Sequence, residues 1–97
     1  MADVIDVMIV DDHPVFRQGL RNVLAAQEGL RVVEEAADGE TAIEKTQVVH
    51  PDVVIMDINL PELNALQAMR ELRDRCPDVK VIMLTAYDDE EQIYHAI

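Results

Sequence analysis

Four short aliphatic runs, at residues 4–10, 30–36, 52–57 and 79–84, are separated by stretches in which apolar residues recur at helical spacing. No other feature of the 97 residues constrains the fold as strongly. Runs that are β-branched and almost continuously apolar suit strands covered on both faces. Strands alternating with helical segments join as parallel neighbours through right-handed crossovers. The order βαβαβαβα therefore predicts an α/β fold, a three-layer α/β/α sandwich around a parallel sheet, occupying 1–97 as one domain.

Local signals mark the joints. Asp11-Asp12-His13-Pro14 closes the first run, and Pro14 suits the first turn of a helix, where its missing N–H costs nothing. Phe16, Leu20, Val23, Leu24 and Gln27 follow helical spacing, with Gly29 as the stop. The second run carries charges and is expected to be the more exposed strand. Asp38-Gly39-Glu40 turns into a helix with Ala42, Ile43, Thr46 and Val49 on one face, ending before Pro51. Asn64 with Gln67 three residues on resembles a capping box, placing Ala65, Leu66, Met69 and Leu72 inward. Cys76-Pro77-Asp78 stops that helix. Asp88 with Glu91 opens a fourth helix, in which the periodicity breaks off at Ile97. Four βα units are thus expected, with a fifth strand and helix missing.

A hydrophobic share of 49% argues against disorder despite the charge. Twenty acidic residues face 8 basic ones, a net charge of −12. Such a surface repels phosphate backbones, which disfavours non-specific nucleic-acid or anionic-membrane binding through this segment. It attracts hard cations or basic partners instead. Cys76 is the single cysteine, so neither a disulfide framework nor a thiolate zinc site is available, and a reducing cytoplasmic compartment is expected. No apolar run approaches the about 18 residues of a membrane span, and no basic leader opens the chain.

In an open parallel sheet, ligands bind outside the carboxyl ends of the strands. Asp11, Asp12, Asp57 and Thr85 occupy those ends. If the first and third strands adjoin, three carboxylates converge in one shallow pocket. Two carboxylates about 5 Å apart repel by about 3 kcal/mol at an effective dielectric of about 20. A bound Mg²⁺ (or Mn²⁺) offsets that cost, being held typically by carboxylates, waters and a phosphate. A lone Asp at a strand end is ordinarily a turn former or helix cap, the reading given to Asp38, Asp78 and Asp88, and Asp11 and Asp12 could also cap ahead of Pro14. Asp57 follows four apolar residues and precedes Ile58, which puts it at the margin of the core.

Asp11-Asp12-His13-Pro14, Ile55-Met56-Asp57-Ile58-Asn59-Leu60-Pro61 and Leu84-Thr85-Ala86 together closely resemble the receiver domain of bacterial two-component response regulators, a flavodoxin-like (CheY-like) fold. Residues 12–20 look like the NarL/FixJ (LuxR-type) subfamily, in which the receiver precedes a helix-turn-helix DNA-binding domain. The resemblance implies strand order 2-1-3-4-5. It also implies roles: Asp57 as phosphoacceptor, Asp12 as direct Mg²⁺ ligand, Asp11 assisting through water, and the backbone carbonyl of Asn59 completing the set. Thr85 would hydrogen-bond the phosphoryl group and move inward, and Ala86 would leave it room. The implied partner is a sensor histidine kinase, whose phosphohistidine donates the phosphoryl group. Transcription control would reach DNA only through a domain absent from this chain. The molecule would assist its own phosphorylation and dephosphorylation without being a turnover enzyme.

Departures from the family pattern carry their own expectations. Ala65 stands where the family has Gly, and if its φ were positive the cost would be about 1 kcal/mol or more, altering the loop. The family lysine after a fifth strand has no counterpart. Lys45 lies on the second helix, and Lys80 begins the fourth strand, about 16 Å from Thr85 at about 3.3 Å per residue. Impaired phosphotransfer is expected. The fourth strand becomes an uncovered edge, so the 97 residues are expected to be a fragment or to form a homo-oligomer or strand-paired dimer. Alternative readings are an interaction module no longer phosphorylated, and a small Mg²⁺-dependent phosphatase using Asp57, although Asn59 stands where such enzymes want a second carboxylate. His13, Tyr87 and Cys76 lack partners at workable spacing; His13 is expected at the pocket rim and Cys76 in the core or at a helix end. The acidic run Asp88-Asp89-Glu90-Glu91 reads as helix-dipole complementation.

Overall fold

The aliphatic runs pair side by side as the strands of one parallel sheet in the computed structural model, which describes residues 4–57 and 65–84. Along the described chain run β1 (Ile5–Val10), α1 (Pro14–Ala25), β2 (Leu30–Ala36), α2 (Gly39–Val49), β3 (Val53–Asp57), α3 (Ala65–Arg75) and β4 (Lys80–Leu84). The sheet order is β2-β1-β3-β4, so β1 and β3 adjoin at its centre. This is a flavodoxin-like arrangement, its described part lacking a fifth strand and helix.

Three strands start one residue later than the runs predict. Val4 and Val79 fall outside, and Asp52 serves the turn ahead of β3. Its Oδ2 accepts from the Asp6 backbone N–H at 2.8 Å, while its own N–H donates to the Asp6 carbonyl, also at 2.8 Å. A register shift between Val7 and Met8 leaves Val33 of β2 without a partner on β1.

Strand alternation sorts the side chains to two faces. Met8, Val10, Val54, Met56 and Met83 pack with Ala42 and Ile43 of α2 and Ala65, Ala68 and Leu72 of α3. On the other face Ile9, Ile55 and Leu84 meet Phe16 and Leu20 of α1. As expected, β2 is less buried than β1, and β4 carries more exposed positions still. Ala42, Ile43 and Thr46 are buried along α2, and Cys76 is buried beyond α3.

One helix reading needs correction. Along α3 the buried line is Ala65, Ala68 and Leu72, whereas Leu66 is 47% exposed. The small alanines let α3 lie close to α2, with which it packs. Along α1 no residue is fully buried, and Phe16 and Val23 remain 42% and 60% exposed.

The expected penalty at Ala65 does not arise. Ala65 opens α3 in helical conformation, and His50 alone among the described non-glycine residues has a positive φ. β4 lies at the sheet edge of the described residues, with Ile82 exposed, as its apolar run implies. No described helix is long and apolar enough to cross a membrane. The expected fourth helix, Asn59, Asn64, Thr85 and Ala86 lie outside the described residues.

Candidate functional site

The register that pairs Val10 with Met56 also brings together the residues next in the chain. Asp11 leaves β1 and Asp57 ends β3, so adjacent parallel strands deliver two acids to one edge of the sheet. The Asp11 N–H still donates to the Ala36 carbonyl at 3.0 Å, which holds the chain to β2 for one further residue. Asp11 and Asp57 are only 2% and 4% exposed, while Asp12 is half-buried.

Asp11, Asp12, His13 and Asp57 each offer one ligand atom, and these atoms all lie within 4.8 Å of one another. The sequence predicts that the three acids converge, and they do. The expectation that Asp11 or Asp12 caps α1 does not hold. The N-cap is His13, which makes no side-chain cap bond. Asp11 instead folds its own loop: its Oδ1 accepts the His13 N–H at 2.6 Å.

His13 has partners that sequence spacing does not reveal. Its Nδ1 lies 3.1 Å from Asp11 Oδ1, 2.9 Å from Asp12 Oδ1 and 3.8 Å from Asp57 Oδ2. The hydrogen bond to Asp11, followed by the charge of Asp12, holds the imidazole pKa above its ordinary value. Arg17 is a second residue that the motifs do not single out. Its Nη1 donates to the Asp11 carbonyl at 2.6 Å, and its Nε meets Glu35 Oε1 at 3.0 Å. The one signal for it is its position one turn into a helix that starts beside the acids.

Three carboxylates this close repel in pairs by about 3 kcal/mol at an effective dielectric of about 20. Asp11 Oδ2 is buried without a hydrogen-bond partner, and an orphaned acceptor of this kind is costly. The donor set is therefore one that a hard divalent cation fits: clustered carboxylate oxygens, one of them unsatisfied, on an apolar floor of Ile9, Ile55 and Leu84. Neither Lys45 nor Lys80 reaches the pocket. Lys45 Nζ is bound by Glu34 Oε1 at 3.3 Å and the Glu35 carbonyl at 2.7 Å, and Lys80 starts β4 at the opposite edge.

Comparison with known proteins agrees with this geometry. The family model described as "Response regulator receiver domain" matches residues 7–97. The transcriptional regulatory protein DegU of Brevibacillus brevis is 43% identical over 93 residues, covering 96% of this chain and 39% of its own length. The oxygen regulatory protein NreC of Staphylococcus carnosus is 40% identical, with 94% and 42% covered. Among solved structures, the signal receiver domain of the putative response regulator NarL from Mycobacterium tuberculosis superposes with a TM-score of 0.83 at 31% identity, covering 97% of this chain and 76% of that one. The chain thus spans about two fifths of the curated relatives' length. With the sheet order, the paired acids and a family match over nearly its whole length, the chain belongs to the response regulator receiver domain family, whose members act in two-component signalling.

Proposed function

We propose that this chain is the phosphoacceptor receiver of a two-component transcription regulator, with Asp57 as the acceptor. One observation carries the reading: Asp11, Asp12 and Asp57 present ligand atoms within 4.8 Å at the carboxyl edge of adjacent β1 and β3. Asp12 and Asp57, with Asp11 acting through water and the Asn59 carbonyl, would hold Mg²⁺ or Mn²⁺. When bound, the ion neutralises charge on a transferring phosphoryl group.

The chain's own part is alignment. An Asp57 carboxylate oxygen forms a bond to phosphorus as the P–N bond of a kinase phosphohistidine breaks. The imidazole leaves with the bonding pair and takes a proton from solvent. Burial of Asp57 limits water to the approach from outside the pocket. Thr85 would hydrogen-bond the phosphoryl oxygens, and Ala86 would leave them space. Later hydrolysis of the acyl phosphate returns the carboxylate.

The names and coverage of the curated relatives support a longer parent that regulates transcription, and the family resemblance adds a DNA-binding domain following this one and a cytoplasmic sensor histidine kinase as partner. Incubation with acetyl phosphate and Mg²⁺ tests the central step. A single hydroxylamine-labile phosphoryl adduct is expected by intact mass, absent in Asp57→Asn. An unmodified mass under saturating donor overturns the proposal.

A further inference from the structure

His13 carries no carboxylate, yet its Nδ1 lies 3.8 Å or less from a carboxylate oxygen of each of Asp11, Asp12 and Asp57. Its backbone fixes it there. His13 is the N-cap of α1 at φ −102° and ψ 105°, an extended conformation that the following Pro14 favours. Its N–H is held by Asp11 Oδ1 at 2.6 Å, so the ring leaves the chain facing the acids. We infer that His13 Nδ1 is a fourth protein ligand of the pocket and gives it a preference for a borderline transition ion such as Co²⁺, Ni²⁺ or Zn²⁺ over Mg²⁺. This rests on the reading of the pocket as a divalent-cation site.

The distances fit coordination around one ion. An octahedral ion with bonds of about 2.1 Å sets neighbouring ligand atoms about 3.0 Å apart. Nδ1 lies 2.9 Å from Asp12 Oδ1, the spacing of one such edge, and 3.1 Å from Asp11 Oδ1, the acid that acts through water. Asp57 Oδ2, at 3.8 Å, stands further round the same shell. Asp11 Oδ2, in a side chain 2% exposed, is buried with no hydrogen bond of its own. The His13 side chain is 61% exposed, so a hydrated cation can reach it from solvent.

The chemistry follows from ligand type. Carboxylate and water oxygens suit Mg²⁺ and Mn²⁺, while an imidazole nitrogen suits Zn²⁺, Ni²⁺ and their neighbours, whose affinities also rise along the divalent series. A pocket of oxygen ligands alone also gains on exchanging Mg²⁺ for Co²⁺. A pocket that adds one imidazole gains the metal–nitrogen bond besides, so the part of the gain lost on removing the imidazole is what identifies His13 as a ligand. The same contacts could instead be those of a ring N–H donating to carboxylates. The two arrangements make opposite predictions: a ligand strengthens cation binding, whereas a donor must be displaced by the cation.

Titration of the intact chain with CoCl₂ in mildly alkaline buffer, followed by calorimetry and by the cobalt ligand-field absorption, separates them, with MgCl₂ titrated in parallel. The wild type is expected to bind Co²⁺ more tightly than Mg²⁺. His13→Ala is expected to weaken Co²⁺ about tenfold or more, on the scale of losing one metal-site interaction, and to leave Mg²⁺ within a few-fold. Thermal melts of His13→Ala and of His13→Asn, which keeps a good N-cap residue, control for folding. Unchanged or tighter Co²⁺ binding in His13→Ala overturns the ligand assignment. Wild-type affinities for Co²⁺ and Mg²⁺ that do not differ overturn the preference. Failure of the wild type to bind either ion overturns the cation-site reading itself.

Discussion

Arg17 holds Asp11 from behind: its Nη1 donates to the Asp11 backbone carbonyl at 2.6 Å while its Nε is paired with Glu35 Oε1 at 3.0 Å. One guanidinium thus ties α1, the β1–α1 loop and β2 together. The planar fork of Arg makes both contacts at once, which the single ammonium of Lys cannot reproduce. Hydrogen bonds to a charged group are worth about 1.5–3 kcal/mol each when buried, and this side chain is partly exposed, so Arg17→Ala is expected to cost about 1–2 kcal/mol. With the Asp11 carbonyl released, the carboxylate it carries loses its fixed direction. Divalent-cation affinity should fall about tenfold, the scale of an outer contact supporting a metal ligand. Chemical denaturation and cation titration of the same variant measure the two effects. Loss of stability with intact affinity would show that Arg17 braces the fold without orienting the pocket.

The acids burden the metal-free fold. Asp57→Asn removes one charge from a cluster whose members repel by about 3 kcal/mol per pair at an effective dielectric of about 20. The amide keeps the shape but loses part of the carboxylate's hydrogen bonding, so the net gain should be about 1 kcal/mol. For a chain of this size that raises Tm by about 4–8 °C. Divalent cation should stabilise the wild type by mass action and the variant far less. Differential scanning calorimetry with chelator and then with excess Mg²⁺ gives all four values. A variant that melts lower than wild type in chelator would mean that Asp57 is compensated within the fold.

How much of this is legible in the sequence depends on what each signal encodes. β1 and β3 can be read nearly to the residue because their apolar runs end abruptly in Asp11 and Asp57, and parallel neighbours then bring those ends together. The line buried along α3 is misleading in the sequence because Leu66 looks more apolar than Ala68. The packing of α3 against α2 rewards small side chains, which hydropathy does not register. The contacts of His13 and Arg17 are invisible for a different reason. They depend on how the loop after β1 folds back, through the Asp11 carboxylate and carbonyl, and no periodicity reports that. The exposure of α1 is equally illegible, since helical spacing specifies a face but not what covers it.

Asp38 caps α2, its Oδ1 accepting the Thr41 N–H at 2.7 Å. That backbone bond, with the Thr41 side chain second, holds its carboxyl below the ordinary aspartate value. A carboxyl depressed in the folded state stabilises the fold above its unfolded pKa, and the contribution is lost as pH falls through the folded one. Asp38→Ala should therefore cost about 1 kcal/mol at neutral pH, the usual worth of such a cap. The gap between wild type and variant should narrow as pH drops from 3.8 through the lowered value. Urea denaturation at several pH values reads this directly. A gap independent of pH would assign the loss to helix propensity and not to the ionised cap.

His50 ends α2 in the left-handed conformation, at φ 52° and ψ 58°, with its N–H donating to the Thr46 carbonyl at 2.9 Å. That region costs an L-residue about 1–2 kcal/mol, and glycine enters it freely. Glycine also gains about 0.5–1 kcal/mol of freedom in the unfolded chain, which opposes the benefit. The exposed His50 side chain has little packing to lose, so the balance for His50→Gly should be a stabilisation of about 0.5 kcal/mol. His50→Val, which adds β-branching where φ must stay positive, should be destabilising by about 1 kcal/mol. Denaturation midpoints for the pair test the sign: if both variants fall together, the imidazole itself holds the end of α2, and the backbone account of this cap is wrong.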